Sequence, residues 1–133
     1  MTLTIPATFQ ALEKITDFMM PLTSHLNPDT QSEIVLAVHE LCMNIVQHAY
    51  AGDSGVIELQ AKCDRQRLEV AIRDHGRNAY VALDEITPPN IHDYPESGWG
   101  IYIVHQVMDS VQYQRSGGQN QWYLVKNLVE LHT

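Results

Sequence analysis

The sequence predicts an α+β fold, a two-layer α/β sandwich in which helices cover one face of a mixed, mostly antiparallel sheet. The predicted elements follow the order strand, two helices, hairpin, long loop, helix and hairpin, and helices with one apolar stripe need such a sheet to bury it. A chain of 133 residues, 44% of them apolar, is long enough for one hydrophobic core and too short for two. We therefore expect residues 1–133 to form a single domain.

The first fifty residues predict a short strand and two helices. Residues 1–9 alternate weakly between apolar and polar side chains, as in a strand. Apolar residues recur at helical spacing from residue 8 to about residue 24, and Pro21 is expected to end or kink this helix. Asn27 is a suitable N-cap, with a proline directly after it, for a second helix that continues to about residue 50.

The rest of the chain predicts two hairpins, separated by a long loop and a helix. The first hairpin pairs strands at residues 56–62 and 68–73. Residues 77–97 are irregular and contain three prolines, and a loop of this length in a small domain is typical of a lid or a binding loop. The third helix runs from Gly98 to about Asp109. The last hairpin pairs residues 111–115 with 122–129 around Gly117-Gly118.

Composition excludes several classes of protein. The formal charge of −8 is unfavourable for binding duplex nucleic acid, which requires a basic surface. No apolar run is long enough to span a membrane, and the N-terminal residues lack the features of a signal peptide. The two cysteines, Cys42 and Cys63, form no C-x-x-C motif, which favours a reducing compartment. We expect a cytoplasmic protein that contacts neither nucleic acid nor membrane.

Three polar residues are spaced four apart on the second helix. Glu40, Asn44 and His48 form a stripe beside its apolar face. Such a stripe can be a solvated flank of the helix. It can also line a cleft, where the Glu40 carboxylate would accept a hydroxyl proton and the Asn44 amide oxygen would bind a hard divalent cation.

A second short motif, Asp74-His75-Gly76, follows the second strand of the first hairpin. An aspartate and a glycine at the end of a strand often form only a turn. Alternatively, the Asp74 carboxylate would accept a hydrogen bond from an exocyclic amine, and Gly76 would allow the backbone to approach a flat ring.

The third motif is Ser97-Gly98-Trp99-Gly100-Ile101 at the start of the third helix. Glycines at a helix N-terminus can direct backbone N–H groups at an anion such as phosphate, although one G-x-G sequence is weak evidence. Trp99 is expected to pack under the loop or, alternatively, to contact a ligand.

Two common phosphate-binding signatures are missing from the sequence. No lysine follows a glycine-rich loop, which excludes a P-loop, and no H-R-D sequence is present, which excludes a conventional protein kinase. Phosphates would therefore have to bind through backbone amides and a metal ion.

Taken together, the three motifs resemble the N, G1 and G2 boxes of the GHKL superfamily of ATP-binding proteins. Within that superfamily the chain is most similar to the small anti-sigma-factor serine kinases, and the most specific stretch is the E-x-x-x-N-x-x-x-H-A-Y sequence that begins at Glu40. The resemblance implies a Bergerat-type α/β sandwich that binds ATP between sheet and helices, under a mobile lid at residues 77–97.

The resemblance also implies a role for each motif residue. Asn44 would hold Mg²⁺, Glu40 would be the general base, Asp74 would bind the adenine amino group and Gly76 would shape the adenine pocket. The remaining nucleotide contacts would come from His48, Ser97, Gly98, Trp99, Gly100 and Ile101.

Two stretches depart from the family pattern. Glu96 occupies a position where many relatives have a basic residue, and its carboxylate would repel phosphates unless it points outward. The Gly-Thr pair of relatives is replaced here by Gly118-Gln119-Asn120-Gln121, from which we expect a weaker contact beside the base.

The resemblance implies an ATP-dependent serine protein kinase and anti-sigma factor. Such a protein phosphorylates a STAS-type anti-sigma-factor antagonist and sequesters a sigma factor by partner switching, and it commonly dimerises. Two alternatives are open: a nucleotide-binding regulator with little or no kinase activity, and the detached ATP-binding domain of a two-component histidine kinase. The last is the least favoured, because the chain offers no phosphoacceptor hairpin.

Overall fold

The computed structural model describes residues 1–50, 55–76 and 99–128. The predicted lid at residues 77–97 lies outside the described residues, as do Ser97 and Gly98. The described elements, in chain order, are β1 (Thr2–Pro6), a 3₁₀ turn (Phe9–Leu12), α1 (Glu13–Leu22), α2 (Pro28–Asn44), a π-helical segment (Ile45–Tyr50), β2 (Val56–Cys63), β3 (Arg67–Asp74), α3 (Trp99–Val107), β4 (Ser110–Ser116) and β5 (Gln119–Asn127).

The five strands form one sheet in the order β1-β2-β3-β5-β4. Every pairing among these described strands is antiparallel, so the mixed sheet that the sequence predicted is antiparallel throughout this part of the chain. The two hairpins β2–β3 and β4–β5 are joined side by side through β3 and β5, which places the end of β3 in the middle of the sheet.

One face of the sheet is apolar and the other is polar. Alternate residues of β2, β3 and β5 are buried against the helices, and the intervening residues are more exposed. This period of two is the pattern of a sheet covered on one side only. The largest side chains that are fully buried belong to both layers and are Ile5, Ile15, Met19, Ile34, Leu41, Ile45, Ile57, Leu59, Leu68, Ile72, Leu124 and Val38.

The end of α1 and the start of α2 lie near their predicted positions. The side chain of Asn27 caps α2 by accepting hydrogen bonds from the N–H groups of Asp29 and Thr30, at 2.8 and 3.2 Å. Pro21 lies in the last turn of α1, which ends one residue later. The predicted start of α1 near residue 8 is instead a 3₁₀ turn, whose cap is the Thr8 hydroxyl.

Both hairpin turns form as their residue types require. The Asp64 carboxylate accepts hydrogen bonds from two N–H groups of the β2–β3 turn, at 2.8 Å each. Gly117 and Gly118 have φ values of 60° and 74°, the left-handed conformation of a two-residue hairpin turn. β5 begins at Gln119 and not at the predicted residue 122, because its first residues are polar and hydropathy does not mark them as strand.

None of the helices in the described ranges is both long and apolar enough to cross a bilayer.

Candidate active site

Glu40, Asn44 and Gly100 come together where α2 meets α3. Asn44 is 3% exposed, and its amide nitrogen donates a hydrogen bond of 2.9 Å to the backbone carbonyl of Glu40, one turn earlier. This bond fixes which branch of the carboxamide is nitrogen. The other branch is oxygen, the atom that can bind a divalent cation.

Gly100 is in direct contact with the Glu40–Asn44 row. A Cβ atom at this position would overlap the amide nitrogen of Asn44 and would lie 3.3 Å from its Cγ and 3.4 Å from Oε2 of Glu40. The absence of a side chain therefore lets α3 approach α2 closely enough to touch both polar groups. This contact gives Gly100 a packing role that the G-x-G motif did not indicate.

The geometry of the α2 helix changes directly after Asn44. Residues Ile45–Tyr50 are π-helical, with i→i+5 hydrogen bonds, whereas the sequence predicted a continuous α-helix to about residue 50. The change coincides with the side-chain bond from Asn44 to the Glu40 carbonyl, and bonds of this kind bend helices. His48 lies in the π-helical segment, so its backbone leaves the predicted four-residue row. Its side chain lies outside the described residues.

Asp74, the last residue of β3, is a buried carboxylate with one satisfied oxygen and one unsatisfied oxygen. Its side chain is 0% exposed. Oδ1 accepts hydrogen bonds from the Gly76 N–H at 2.9 Å and from Nδ2 of Asn120 at 3.0 Å. Oδ2 has no hydrogen-bond partner among the described residues. A buried unpaired acceptor is costly, so this oxygen has the property expected of a ligand-binding group, and an exocyclic amine would satisfy it.

The Asp74 carboxylate lies near enough to Cys42, on the helix that carries Glu40 and Asn44, to affect its thiol. Burial raises the pKa of the Cys42 thiol, and the charge of Asp74 raises it further. Cys42 lies on α2 between Glu40 and Asn44, so the end of β3 is near this part of the helix.

Sequence reasoning missed a cluster of three residues, of which one contacts Asp74 directly. Asn120 on β5 is 1% exposed, and its Oδ1 accepts hydrogen bonds from the Tyr113 hydroxyl at 2.5 Å and from Nη1 of Arg115 at 3.0 Å. The same Nη1 donates to the backbone carbonyl of Gly76 at 2.8 Å. Within the departure at residues 118–121, from which we expect a weaker contact beside the base, Asn120 makes a direct contact with Asp74. The sequence feature that indicated the burial of Asn120 is its position in β5, two residues before the buried Trp122.

The predicted site residues thus fall into two described groups. Glu40, Asn44 and Gly100 meet at α2 and α3, and Asp74 and Gly76 meet at the end of β3. Ile101 packs against the hydrophobic core. The backbone of Trp99 begins α3, and its side chain lies outside the described residues.

The donors present are compatible with a nucleotide-bound cation. Asn44 and Glu40 provide a carboxamide and a carboxylate, both of which are hard oxygen ligands. Within residues 1–50, 55–76 and 99–128 there is no group of three or more His, Cys, Asp or Glu arranged to hold a metal. These donors fit a cation that takes its other ligands from phosphate and water, as Mg²⁺ commonly does.

Comparison with known proteins agrees with this fold. Residues 5–126 match the family model of the histidine kinase-like ATPase domain. The serine-protein kinases RsbW of Bacillus mycoides (strain KBAB4) and Bacillus cereus (strain AH187) are each 33% identical over 97 residues, a match that covers 68% of this chain. The match covers 60% of the length of these relatives.

Solved structures show the same fold. The structure of the RsbU and RsbW domains of a Mycobacterium tuberculosis protein aligns with 95% of this chain and 32% of that one, with a TM-score of 0.61 and 17% identity. The histidine kinase domain of the Erythrobacter litoralis EL346 blue-light activated histidine kinase aligns with 93% of this chain and 62% of its own, with a TM-score of 0.60 and 20% identity. Since the family model spans β1 to β5, the chain belongs to the histidine kinase-like ATPase domain family, the GHKL fold.

Proposed function

We propose that this chain binds ATP between α2 and the end of β3 and uses it to phosphorylate serine in a partner protein. The observation that carries the proposal is the unsatisfied Oδ2 of Asp74, a buried acceptor at the position where the family resemblance implies a contact with adenine. In this proposal residues 1–133 act as one ATP-binding domain, and residues 77–97 are the lid.

The adenine would bind at the end of β3. Its 6-amino group would donate to Oδ2 of Asp74, since Oδ1 is already occupied by two protein donors. Gly76 is buried beside this carboxylate, and without a side chain it leaves room for a flat ring.

The phosphates would extend from the adenine toward α2 and α3. The Asn44 amide oxygen would hold Mg²⁺, which neutralises charge on the phosphates when it is bound. Gly100 keeps the Asn44 carboxamide in place through direct contact. The further nucleotide contacts in this proposal are His48, Ser97, Gly98, Trp99 and Ile101.

The catalytic residue in this proposal is Glu40. Its carboxylate lies beside Asn44 and Gly100, and it would accept the proton of the serine hydroxyl as the γ-phosphoryl group is transferred. The relatives at 33% identity are named serine-protein kinases, which supports serine as the acceptor.

The proposed partners are proteins of the sigma-factor regulatory type. A STAS-type anti-sigma-factor antagonist would be the phosphoacceptor, and a sigma factor would be sequestered by partner switching in the cytoplasm. The formal charge of −8 favours partners with basic surfaces and is unfavourable for direct contact with nucleic acid. A homodimer is part of the same proposal.

Nucleotide binding is tested by titration calorimetry of ATP with Mg²⁺. We expect Asn44→Ala to abolish Mg·ATP binding, because it removes the proposed cation ligand. The protein should stay folded, because the lost bond to the Glu40 carbonyl lowers the free energy of unfolding by only about 1 kcal/mol. Asn127→Ala at the end of β5 is the matched control and should bind normally. Unchanged ATP affinity in Asn44→Ala would contradict the assigned role.

Phosphoryl transfer is tested with labelled ATP and a STAS-type antagonist. Labelled serine that forms with the wild-type chain and not with Glu40→Gln would support kinase activity with Glu40 as the base. The second candidate, a nucleotide-dependent regulator that sequesters partners without phosphorylating them, is favoured by Glu96, whose carboxylate precedes the Ser97-Gly98 pair. ATP-dependent capture of the partner without labelled serine would support this candidate instead.

A further inference from the structure

A row of three polar side chains crosses the buried face of the sheet. The strand register pairs Asp74 on β3 with Asn120 on β5, and pairs Asn120 in turn with Arg115 on β4. Asp74 and Asn120 are almost fully buried, at 0% and 1% exposure. The row therefore runs from an acid through an amide to a base, inside a layer that is otherwise apolar.

Each member of this row orients the next one. Nδ2 of Asn120 donates to Oδ1 of Asp74 at 3.0 Å. Nη1 of Arg115 and the hydroxyl of Tyr113 both donate to Oδ1 of Asn120, at 3.0 and 2.5 Å. Tyr113 is itself held by packing against Trp122, with ring centroids 4.7 Å apart.

The Asp74 carboxylate and the Arg115 guanidinium fix the orientation of the Asn120 amide from its two ends. A tyrosine hydroxyl can either donate or accept, so Tyr113 alone would be compatible with both orientations of the amide. Arginine has donors only and a carboxylate has acceptors only, so the oxygen of Asn120 has to face Arg115 and its NH₂ has to face Asp74. Arg115 also donates to the Gly76 carbonyl at 2.8 Å, which holds the turn whose N–H is the second donor to Asp74.

The result is a carboxylate with two different oxygens. Oδ1 is occupied by two donors, and Oδ2 presents a buried acceptor. We propose that Asn120 and Arg115 are positioning residues that make the site select a 6-amino purine over a 6-oxo purine, by directing one Asp74 oxygen at the C6 substituent of the base. This inference depends on the proposed nucleotide function and adds the source of its base preference.

The chemistry of the purines makes the preference measurable. ATP carries an amine at C6, which donates to an acceptor. Inosine triphosphate carries an oxygen at the same position, which meets Oδ2 as one acceptor facing another. The two nucleotides have the same sugar and phosphates, so the ratio of their affinities reports on the base contact and not on the phosphate contacts.

The first experiment measures this ratio by competition against a fluorescent nucleotide in the full chain. We expect wild type to favour ATP, and Arg115→Met and Asn120→Ala to reduce the preference about tenfold, because one hydrogen bond to a charged group is lost or misdirected. Arg115→Lys keeps a donor and should restore most of the preference. Gln121→Ala is the control: it removes a 3.0 Å hydrogen bond to Gln114 in the same hairpin and should leave the ratio unchanged.

The second experiment reverses the preference. In Asp74→Asn, the N–H of Gly76 and Nδ2 of Asn120 require the new amide oxygen at the Oδ1 position, so its NH₂ takes the place of Oδ2. This donor opposes the amine of ATP and fits the C6 oxygen of inosine triphosphate. We expect the ratio to shift toward inosine triphosphate by about 100-fold, because the contact with ATP becomes unfavourable and the contact with inosine triphosphate becomes favourable.

The outcomes separate the two proposals. If wild type binds neither nucleotide, the proposed function is wrong and this inference falls with it. If wild type binds ATP but the ratio is the same in Arg115→Met, Asn120→Ala and the Gln121→Ala control, nucleotide binding stands and the positioning role is wrong. If Arg115 and Asn120 had only a structural role, their substitution would weaken the binding of both nucleotides equally and would also leave the ratio unchanged.

Discussion

Replacing Gly100 by alanine tests how α3 determines the position of the Asn44 carboxamide. The added methyl group would overlap the amide nitrogen of Asn44 and come within 3.4 Å of Oε2 of Glu40. The Asn44 side chain is the softer of these neighbours, so it has to rotate and give up its 2.9 Å bond to the Glu40 carbonyl. The substitution therefore moves the proposed cation ligand without removing it.

The expected change in stability is small, because two contributions offset each other. Loss of the Asn44 hydrogen bond destabilises the fold by about 1 kcal/mol. Alanine is a better helix former than glycine by up to about 1 kcal/mol, and Gly100 lies in the first turn of α3. The free energy of unfolding should therefore change by less than about 1 kcal/mol. The affinity for Mg·ATP should fall about tenfold or more, equivalent to about 1.4 kcal/mol or more.

Urea denaturation measures the first quantity and titration calorimetry the second. Since the added methyl group acts on the Asn44 side chain, the double variant Gly100→Ala/Asn44→Ala should lose no more stability in urea than Asn44→Ala alone. Wild-type affinity for Mg·ATP in Gly100→Ala would refute the reasoning. A further loss of stability in the double variant would show that the methyl group clashes with a neighbour other than Asn44.

The remaining predictions concern stability and thiol reactivity. Asn27→Ala removes the cap of α2 and should lower the free energy of unfolding, measured by urea denaturation, by about 1 kcal/mol, with no effect on nucleotide selectivity. Two backbone N–H groups lower the pKa of Asp64 in the folded protein. The contribution of the Asp64 carboxylate to the stability of the fold is therefore complete above the ordinary aspartate pKa of about 3.9 and is lost as the pH falls below that value. The difference in urea midpoint between wild type and Asp64→Asn should be present at neutral pH and shrink in acid; a difference that grows in acid would reverse this assignment. Burial raises the pKa of both thiols, those of Cys42 and Cys63. We expect native Cys42 to resist a thiol reagent until the protein unfolds, and Cys63 to react appreciably only above the ordinary thiol pKa of about 8.5. Rapid labelling of Cys42 in the native state would contradict its burial.

Local sequence patterns predicted most of the elements, because each depends on neighbouring residues. The Asn27 cap, the glycine pair at residues 117–118 and the apolar spacing of α2 act within one or two turns of chain. The errors occurred where tertiary contacts or polar residues intervene. α2 becomes π-helical after Asn44, and β5 starts at Gln119, where polar side chains obscure the strand pattern.

By itself the sequence determined which residue types were available for the chemistry and placed Glu40 and Asn44 on one side of one helix. Only the tertiary structure decided which polar atoms are buried together and which of them form hydrogen bonds. The contact between Asp74 and Asn120 joins residues 46 positions apart, and it exists because the packing of the whole sheet sets the register of β3 on β5. The contact of Gly100 with Asn44 likewise depends on how closely two helices approach, a distance that no spacing along the chain encodes.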